Sequence, residues 1–269
     1  MTKPILHFAH ANSFPAGTYR VMFEALRHHY DLRYLDVHAH NPQYPVKTGW
    51  RELVDELLAD VMAKSSEPVI LVGHSLGGML CLMAAKVRPD LVRAVVLLDA
   101  PVVAGWRAVL VGMARNTKLG DTFSPASGSV KRRYLWPNAQ AAYDHFISKD
   151  IFARWAPGVL QDYIDSGFVP HAGGVTLRFT RETETAVYRA LPDHIGKLVR
   201  DGFPVPIGFI GGVDSEECRR ASLGPTRKLV GKNFRQVAGG HLYPMEAPGI
   251  AAATIHELIQ SMTTSMQRT

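Results

Sequence analysis

The chain has 269 residues, 46% of them hydrophobic, and carries a formal net charge of +6. That length and hydrophobic content allow a large buried core, exclude intrinsic disorder, and fit one α/β domain or one such domain with an insertion. Charged residues are only 20% and lie scattered rather than in blocks, so the basic surplus implies no more than mild attraction for anions and does not point to nucleic acid.

Taken in order, the first segments alternate short apolar runs with helical patterns, the grammar of a parallel sheet with crossover helices. The start of the chain, through Lys3, His7, His10 and Asn12, does not read as a signal peptide. Ile5 to Ala9 reads as a strand, and Tyr19, Met22, Phe23, Leu26 and Tyr30 fall at helical spacing. Leu32 to Val37 reads as a second strand. Trp50, Leu53, Val54, Leu57, Leu58, Val61 and Met62 mark the buried face of an amphipathic helix.

Val69 to Val72 is a buried strand running into Gly73-His74-Ser75-Leu76-Gly77-Gly78, followed by a helical stretch from Met79 to Val87. Ala94 to Leu98 supplies another strand, ending at Asp99. Late in the chain, Pro206 to Ile210 leads to Asp214, Phe234 to Val237 leads to His241, and Ile250 to Met262 closes as a helix. No apolar run approaches the roughly 20 residues of a membrane span, so a cytoplasmic protein without membrane insertion is expected. Cys81 and Cys218 sit in no metal-binding or redox spacing, and no structural disulfide is implied.

From Gly105 to Phe203 the alternation stops. Pro125, Pro137, Pro157, Pro170 and Gly173-Gly174 separate short helical pieces. The expectation is a body made of residues 1–104 and 204–269, with a mainly helical cap at 105–203 over the strand ends, where open α/β sheets place ligands. The aromatic residues Trp106, Phe123, Tyr134, Trp136, Tyr143, Phe146 and Trp155 are read chiefly as packing the cap onto the body. Lys131-Arg132-Arg133 is read as a solvated basic turn.

Gly73-x-Ser75-x-Gly77 between a strand and a helix is the context of a nucleophile elbow. A strand that turns abruptly into a helix holds its serine in a strained conformation, and side chains at the flanking glycines would collide with neighbouring elements. No Gly-Lys-Ser/Thr follows, which disfavours a phosphate-binding loop. His38-x-His40 lacks a third ligand at metal spacing, and neither metal nor cofactor is expected. His74 is read as packing beneath the turn.

With this elbow, a downstream acid and a late histidine, the chain resembles the α/β-hydrolase superfamily. The resemblance implies a mostly parallel sheet of about six strands flanked by helices, and a Ser-Asp-His order of functional residues. Ser75 would be the nucleophile. His241, in Gly239-Gly240-His241 after the last strand, would be the general base. Asp214 matches the usual position of the acid, Asp99 is its rival, and Glu216 and Glu217 stand nearby. The oxyanion donors would be the N–H of Leu76 and a group from His10-Ala11-Asn12-Ser13-Phe14-Pro15, with Asn12 first and Ser13 and Phe14 behind it. The implied activity is hydrolysis of a small-molecule ester. Carbon–carbon hydrolysis or perhydrolysis on the same residues, and ligand binding without turnover, are the competing readings.

Overall fold

Each central strand carries apolar side chains at successive positions, and burying both alternating sets requires helices on both faces of the sheet. A computed structural model, which describes residues 3–103 and 126–266, has this arrangement. β1 (Ile5–Ala9), α1 (Arg20–Arg27), β2 (Asp31–Tyr34), α2 (Arg51–Lys64), β3 (Val69–His74), α3 (Leu76–Val87) and β4 (Val92–Leu98) follow one another. A longer segment then carries α4 (Ala126–Val130), β5 (Leu135–Trp136), α5 (Ala139–Ile147), α6 (Asp150–Ala153), α7 (Val159–Gly167), β6 (Phe168–His171), β7 (Gly174–Leu177), α8 (Arg181–Arg189) and α9 (Ile195–Leu198). The chain closes with β8 (Ile207–Gly212), α10 (Glu216–Ala221), α11 (Gly224–Val230), β9 (Phe234–Val237), α12 (Tyr243–Glu246) and α13 (Pro248–Met266). Trp106, Phe123 and Pro125 lie outside the described residues.

The six-stranded sheet has the order β2-β1-β3-β4-β8-β9, and every pairing in it is parallel. Along β3, Ile70 and Val72 enter one core with Tyr19, Phe23 and Ile255, whereas Val69 and Leu71 enter the other with Leu53, Leu57 and Leu80. The chain leaves β1 toward β2 on one side and returns to β3 on the other. The carboxyl ends of β1 and β3 therefore flank the point where strand order reverses, the crevice in which such sheets bind ligands.

Three expectations are corrected. β2 stops at Tyr34 rather than Val37; beyond it the chain turns away from the sheet edge, with Ala16 N–H bonded to Asp36 O and Ala39 at a φ of 66°. Met62 is half exposed and does not belong to the buried face of α2. The segment between β4 and β8 also holds a small antiparallel sheet, β5-β7-β6. Its strands are short, β6 contains Pro170, and the glycines read as breakers form its tight turn: Gly173 has a φ of 82°, and a Cβ on Gly174 would sit 2.0 Å from Trp136 O. Among the described residues, no helix is long and apolar enough to cross a membrane. Cys81 and Cys218 are both buried free thiols.

Candidate active site

The turn after β3 is built by glycine. A Cβ on Gly73 would lie 2.3 Å from Gly77 O, and one on Gly77 would lie 2.0 Å from Ala9 O, so β3, α3 and β1 approach more closely than any side chain permits. Between them Ser75 is held at φ 53°, ψ −114°, a costly conformation for a residue with a Cβ. Its N–H is fixed to Leu98 O at 2.9 Å. The hydroxyl is thereby raised at the end of the sheet while the backbone around it is buried.

His241 reaches this hydroxyl from the loop after β9. Its Nε2 lies 3.0 Å from Ser75 Oγ and its Nδ1 lies 2.8 Å from Asp99 Oδ1. An ionised carboxylate only accepts, so Nδ1 carries the proton and Nε2 offers its lone pair to the serine O–H. Burial opposes charge on the imidazole, but the hydrogen bond to Asp99 and the charges of Glu217 and Asp99 outweigh it and raise the pKa above the ordinary histidine value.

The carboxylate on His241 is Asp99, not Asp214. Asp99 follows β4 at a φ of 41° and is fully buried. Oδ1 accepts from Ser215 O–H (2.6 Å) as well as from His241, and Oδ2 accepts from Gly212 N–H (2.7 Å) and Cys218 S–H (3.5 Å). Burial alone would raise its pKa, yet these bonds and the nearby imidazole hold the carboxyl below the usual carboxylate range. The end of β8 thus supplies donors to an acid that comes from β4. Asp214 is exposed, and its N–H is tied to Gly239 O at 3.0 Å, in a turn on the outside of this cluster. Glu217 Oε2 stands 3.7 Å from His241 Nδ1 but is half exposed, and Glu216 pairs with Arg219 and Arg220. Asp99, Glu217 and His241 put ligand atoms within 4.8 Å of one another. Nδ1 is already committed to Asp99, so the group is better described as a hydrogen-bonded pair with a neighbouring charge.

Leu76 opens α3, so its N–H has no acceptor within the helix. Across the crevice, Phe14 N–H is used by Ala11 O (3.2 Å), which removes it as an oxyanion donor. The Asn12 side chain donates to Glu184 O at 3.3 Å, and its Oδ1 is buried without a partner. The Asn12 side chain thus ties the loop after β1 to α8. Behind the loop, His10 donates from Nδ1 to Ala11 O and accepts His38 N–H at Nε2 (2.8 Å). Burial keeps that ring neutral. His40 is likewise taken up by His38 O and Thr180 N–H, so His38 and His40 do not converge on a common point.

Above the strand ends, Trp136, Phe146 and Trp155 are buried together with Phe152, Tyr163 and Phe168, as packing requires, whereas Tyr134 is exposed. Arg132 departs from the reading of a solvated turn. It bonds Glu184 (2.9 Å) and Tyr163 Oη (2.8 Å) with little exposure, while Lys131 and Arg133 remain in solvent. A separate cavity of about 990 Å³, lined by Val46, Arg51, Arg181 and Arg189 among others, includes none of Ser75, Asp99 and His241. Ser215, Gly212 and Tyr19, which hold the site from behind, went unassigned in the sequence because no motif marks them.

The profile of the alpha/beta hydrolase family matches residues 8–254. A curated relative from Haemophilus influenzae, named "Putative esterase/lipase", is 25% identical over 100 residues, 37% of this chain and 35% of that protein, so the match spans about a third of the relative's length. Among solved structures, E-2-(acetamidomethylene)succinate hydrolase superposes with a TM-score of 0.74 at 19% identity, over 97% of this chain and 92% of that one. The thioesterase domain from the curacin biosynthetic pathway gives 0.73 at 16%, over 94% and 91%. The peroxisomal alpha-beta-hydrolase Lpx1 of Saccharomyces cerevisiae gives 0.75 at 17%, over 98% and 78%. At these identities the likeness is one of fold.

Proposed function

Because the chain belongs to the alpha/beta hydrolase family, we propose that it hydrolyses an ester or related acyl compound of a small molecule through an acyl-enzyme on Ser75. The observation that carries this reading is the aligned set Ser75 Oγ, His241 Nε2 at 3.0 Å and His241 Nδ1 to Asp99 Oδ1 at 2.8 Å, with the serine in a strained elbow.

In this reading Ser75 Oγ attacks the carbonyl carbon as His241 Nε2 takes its proton, and Asp99 stabilises the imidazolium that results. The carbonyl oxygen becomes an oxyanion held by the N–H groups of Leu76 and Asn12. Collapse of the tetrahedral intermediate expels the alcohol, which receives the proton from His241. A water then attacks the acyl-enzyme, with His241 again as base, and releases the acid and free Ser75. No external cofactor enters any step. Residues 126–203, tied to the loop after β1 by Asn12–Glu184 and to α1 by Arg20–Asp162, serve in this reading as a cap that selects which acyl and leaving groups fit.

The test is turnover of a panel of p-nitrophenyl esters, acyl thioesters and lactones by wild type, Ser75→Ala and His241→Ala. Turnover of at least one class, abolished in both variants while they remain folded, is expected. Turnover that survives in Ser75→Ala overturns the reading.

A further inference from the structure

His74, the residue before the nucleophile, does more than fill space beneath the elbow. Ala11 N–H donates to the phenol oxygen of Tyr19 at 3.2 Å, Tyr19 Oη lies 2.7 Å from His74 Nδ1, and His74 Nε2 lies 2.9 Å from the carbonyl oxygen of His241. A backbone carbonyl only accepts, so His74 Nε2–H donates to His241 O, and Ala11 N–H donates to the phenol oxygen. Burial keeps the His74 ring neutral, so with its proton on Nε2 its Nδ1 is an acceptor and Tyr19 O–H donates to it.

The chain is sealed from solvent: Ala11, Tyr19 and His74 are all buried, and the rings of Phe8 and Phe23 pack against Tyr19. Burial holds the His74 pKa down to about 3 and pushes the Tyr19 phenol up, so neither group changes charge in the range where His241 titrates. The groups that face His74 are Tyr19, His241 and Asp99. None of the three bonds uses Ser75 Oγ or a ring nitrogen of His241.

Those bonds link three separate pieces of chain. Ala11 precedes Asn12 in the loop after β1, His74 precedes Ser75 at the end of β3, and His241 stands after β9. We propose that Tyr19 and His74 form a positioning relay that sets the distance between the oxyanion loop, the nucleophile and the general base. The proposal rests on the acyl-transfer reading above. Both residues act through their neighbours, the relay holding the backbone of His241 so that Nε2 meets Ser75 Oγ, and holding Ala11 so that the N–H beside it faces the oxyanion. Errors on the scale of an ångström at such groups cost up to about a hundredfold in rate.

The test combines kinetics and labelling on folded protein, checked by circular dichroism, for wild type, Tyr19→Phe, His74→Gln and His74→Asn. Tyr19→Phe keeps the ring and removes the O–H. A plateau kcat lower by roughly ten- to a hundredfold is expected, with KM changed less than about twofold and the acid limb of the pH profile unmoved, since the His241–Asp99 bond is intact. Glutamine at 74 extends an amide N–H toward the His241 carbonyl, whereas asparagine keeps only an acceptor near Tyr19, so His74→Gln should retain clearly more kcat than His74→Asn. A purely structural role lowers the melting temperature of Tyr19→Phe and leaves kcat well below melting at the wild-type level; that result overturns the relay. Equal kcat for the two His74 variants also overturns it, and remains readable if Tyr19→Phe fails to fold. Fluorophosphonate labelling of Ser75 in wild type runs alongside. Absence of an adduct there removes the hydrolase reading and the relay with it, whereas an adduct with unaltered variants removes the relay alone.

Discussion

Replacing Asp99 by asparagine separates the geometry seen here from the family's usual placement of the acid at Asp214. The carboxylate oxygens have different neighbours: Oδ2 faces Gly212 N–H at 2.7 Å, and Oδ1 faces His241 Nδ1 at 2.8 Å and Ser215 O–H at 2.6 Å. Gly212 N–H can only donate, so the new NH2 cannot occupy the Oδ2 place without setting two donors against each other. It is driven to the Oδ1 place, where Ser215 can rotate and accept but His241 must give up its Nδ1 proton. The ring then carries its proton on Nε2, pointing at Ser75 Oγ, and cannot act as a base. Trapping a catalytic histidine in the wrong tautomer costs about 10⁴ in kcat, which is about 5.4 kcal/mol of transition-state stabilisation. Asp214→Asn, an exposed change outside the cluster, should stay within about twofold of wild type. The assay is steady-state hydrolysis of whichever ester proves the best substrate, with melting curves to show that both variants are folded. Loss of activity in Asp214→Asn as large as in Asp99→Asn, or survival of a tenth or more of kcat in Asp99→Asn, would refute the reasoning.

Other outcomes follow from the same geometry. The raised pKa of His241 places the acid limb of kcat/KM above about pH 6.5, the ordinary histidine value; Glu217→Gln removes a negative charge 3.7 Å from Nδ1 and should move that limb down, which a pH–rate profile reads directly. The same shift stabilises the fold fully below the unfolded pKa of about 6.5, a contribution lost as pH rises through the folded value. Gly77→Ala drives a Cβ to 2.0 Å from Ala9 O, backbone against backbone, and should cost about 3 kcal/mol or more in urea unfolding if it folds at all. Arg132→Met leaves Glu184 buried without its 2.9 Å partner and should destabilise by about 2 to 4 kcal/mol, with Glu184→Leu in the same chain restoring most of the loss.

The body of the fold was legible because its signals are local and repeated. β1 and β9 run over the residues that the apolar runs mark, and the elbow announces itself through glycines whose role is steric. Ser75 and His241, which the structure brings within 3.0 Å of each other, were singled out for the same reason: each sits in a turn directly after a strand. The acid was not legible, since Asp99 and Asp214 both follow predicted strands, and the choice between them depends on where donors converge in space. Gly212, Ser215 and Cys218 aim at Asp99 only after β4 and β8 pair. The antiparallel sheet of residues 135–177 escaped notice because two- and four-residue strands carry too little periodicity, and Pro170 argues locally against one. Tyr19 and His74 show the same limit. One reads as an apolar helix position and the other as filler, and their bond spans a separation of 55 residues.

The most direct measurement is fluorophosphonate labelling of the native protein, followed by intact mass and peptide mapping, beside Ser75→Ala and heat-unfolded controls. A single adduct on Ser75, absent from both controls and forming faster as pH rises through the His241 titration, is the predicted result. A folded protein that takes up no adduct from small probes, or takes it up at another residue, contradicts the claim that this elbow holds an activated serine.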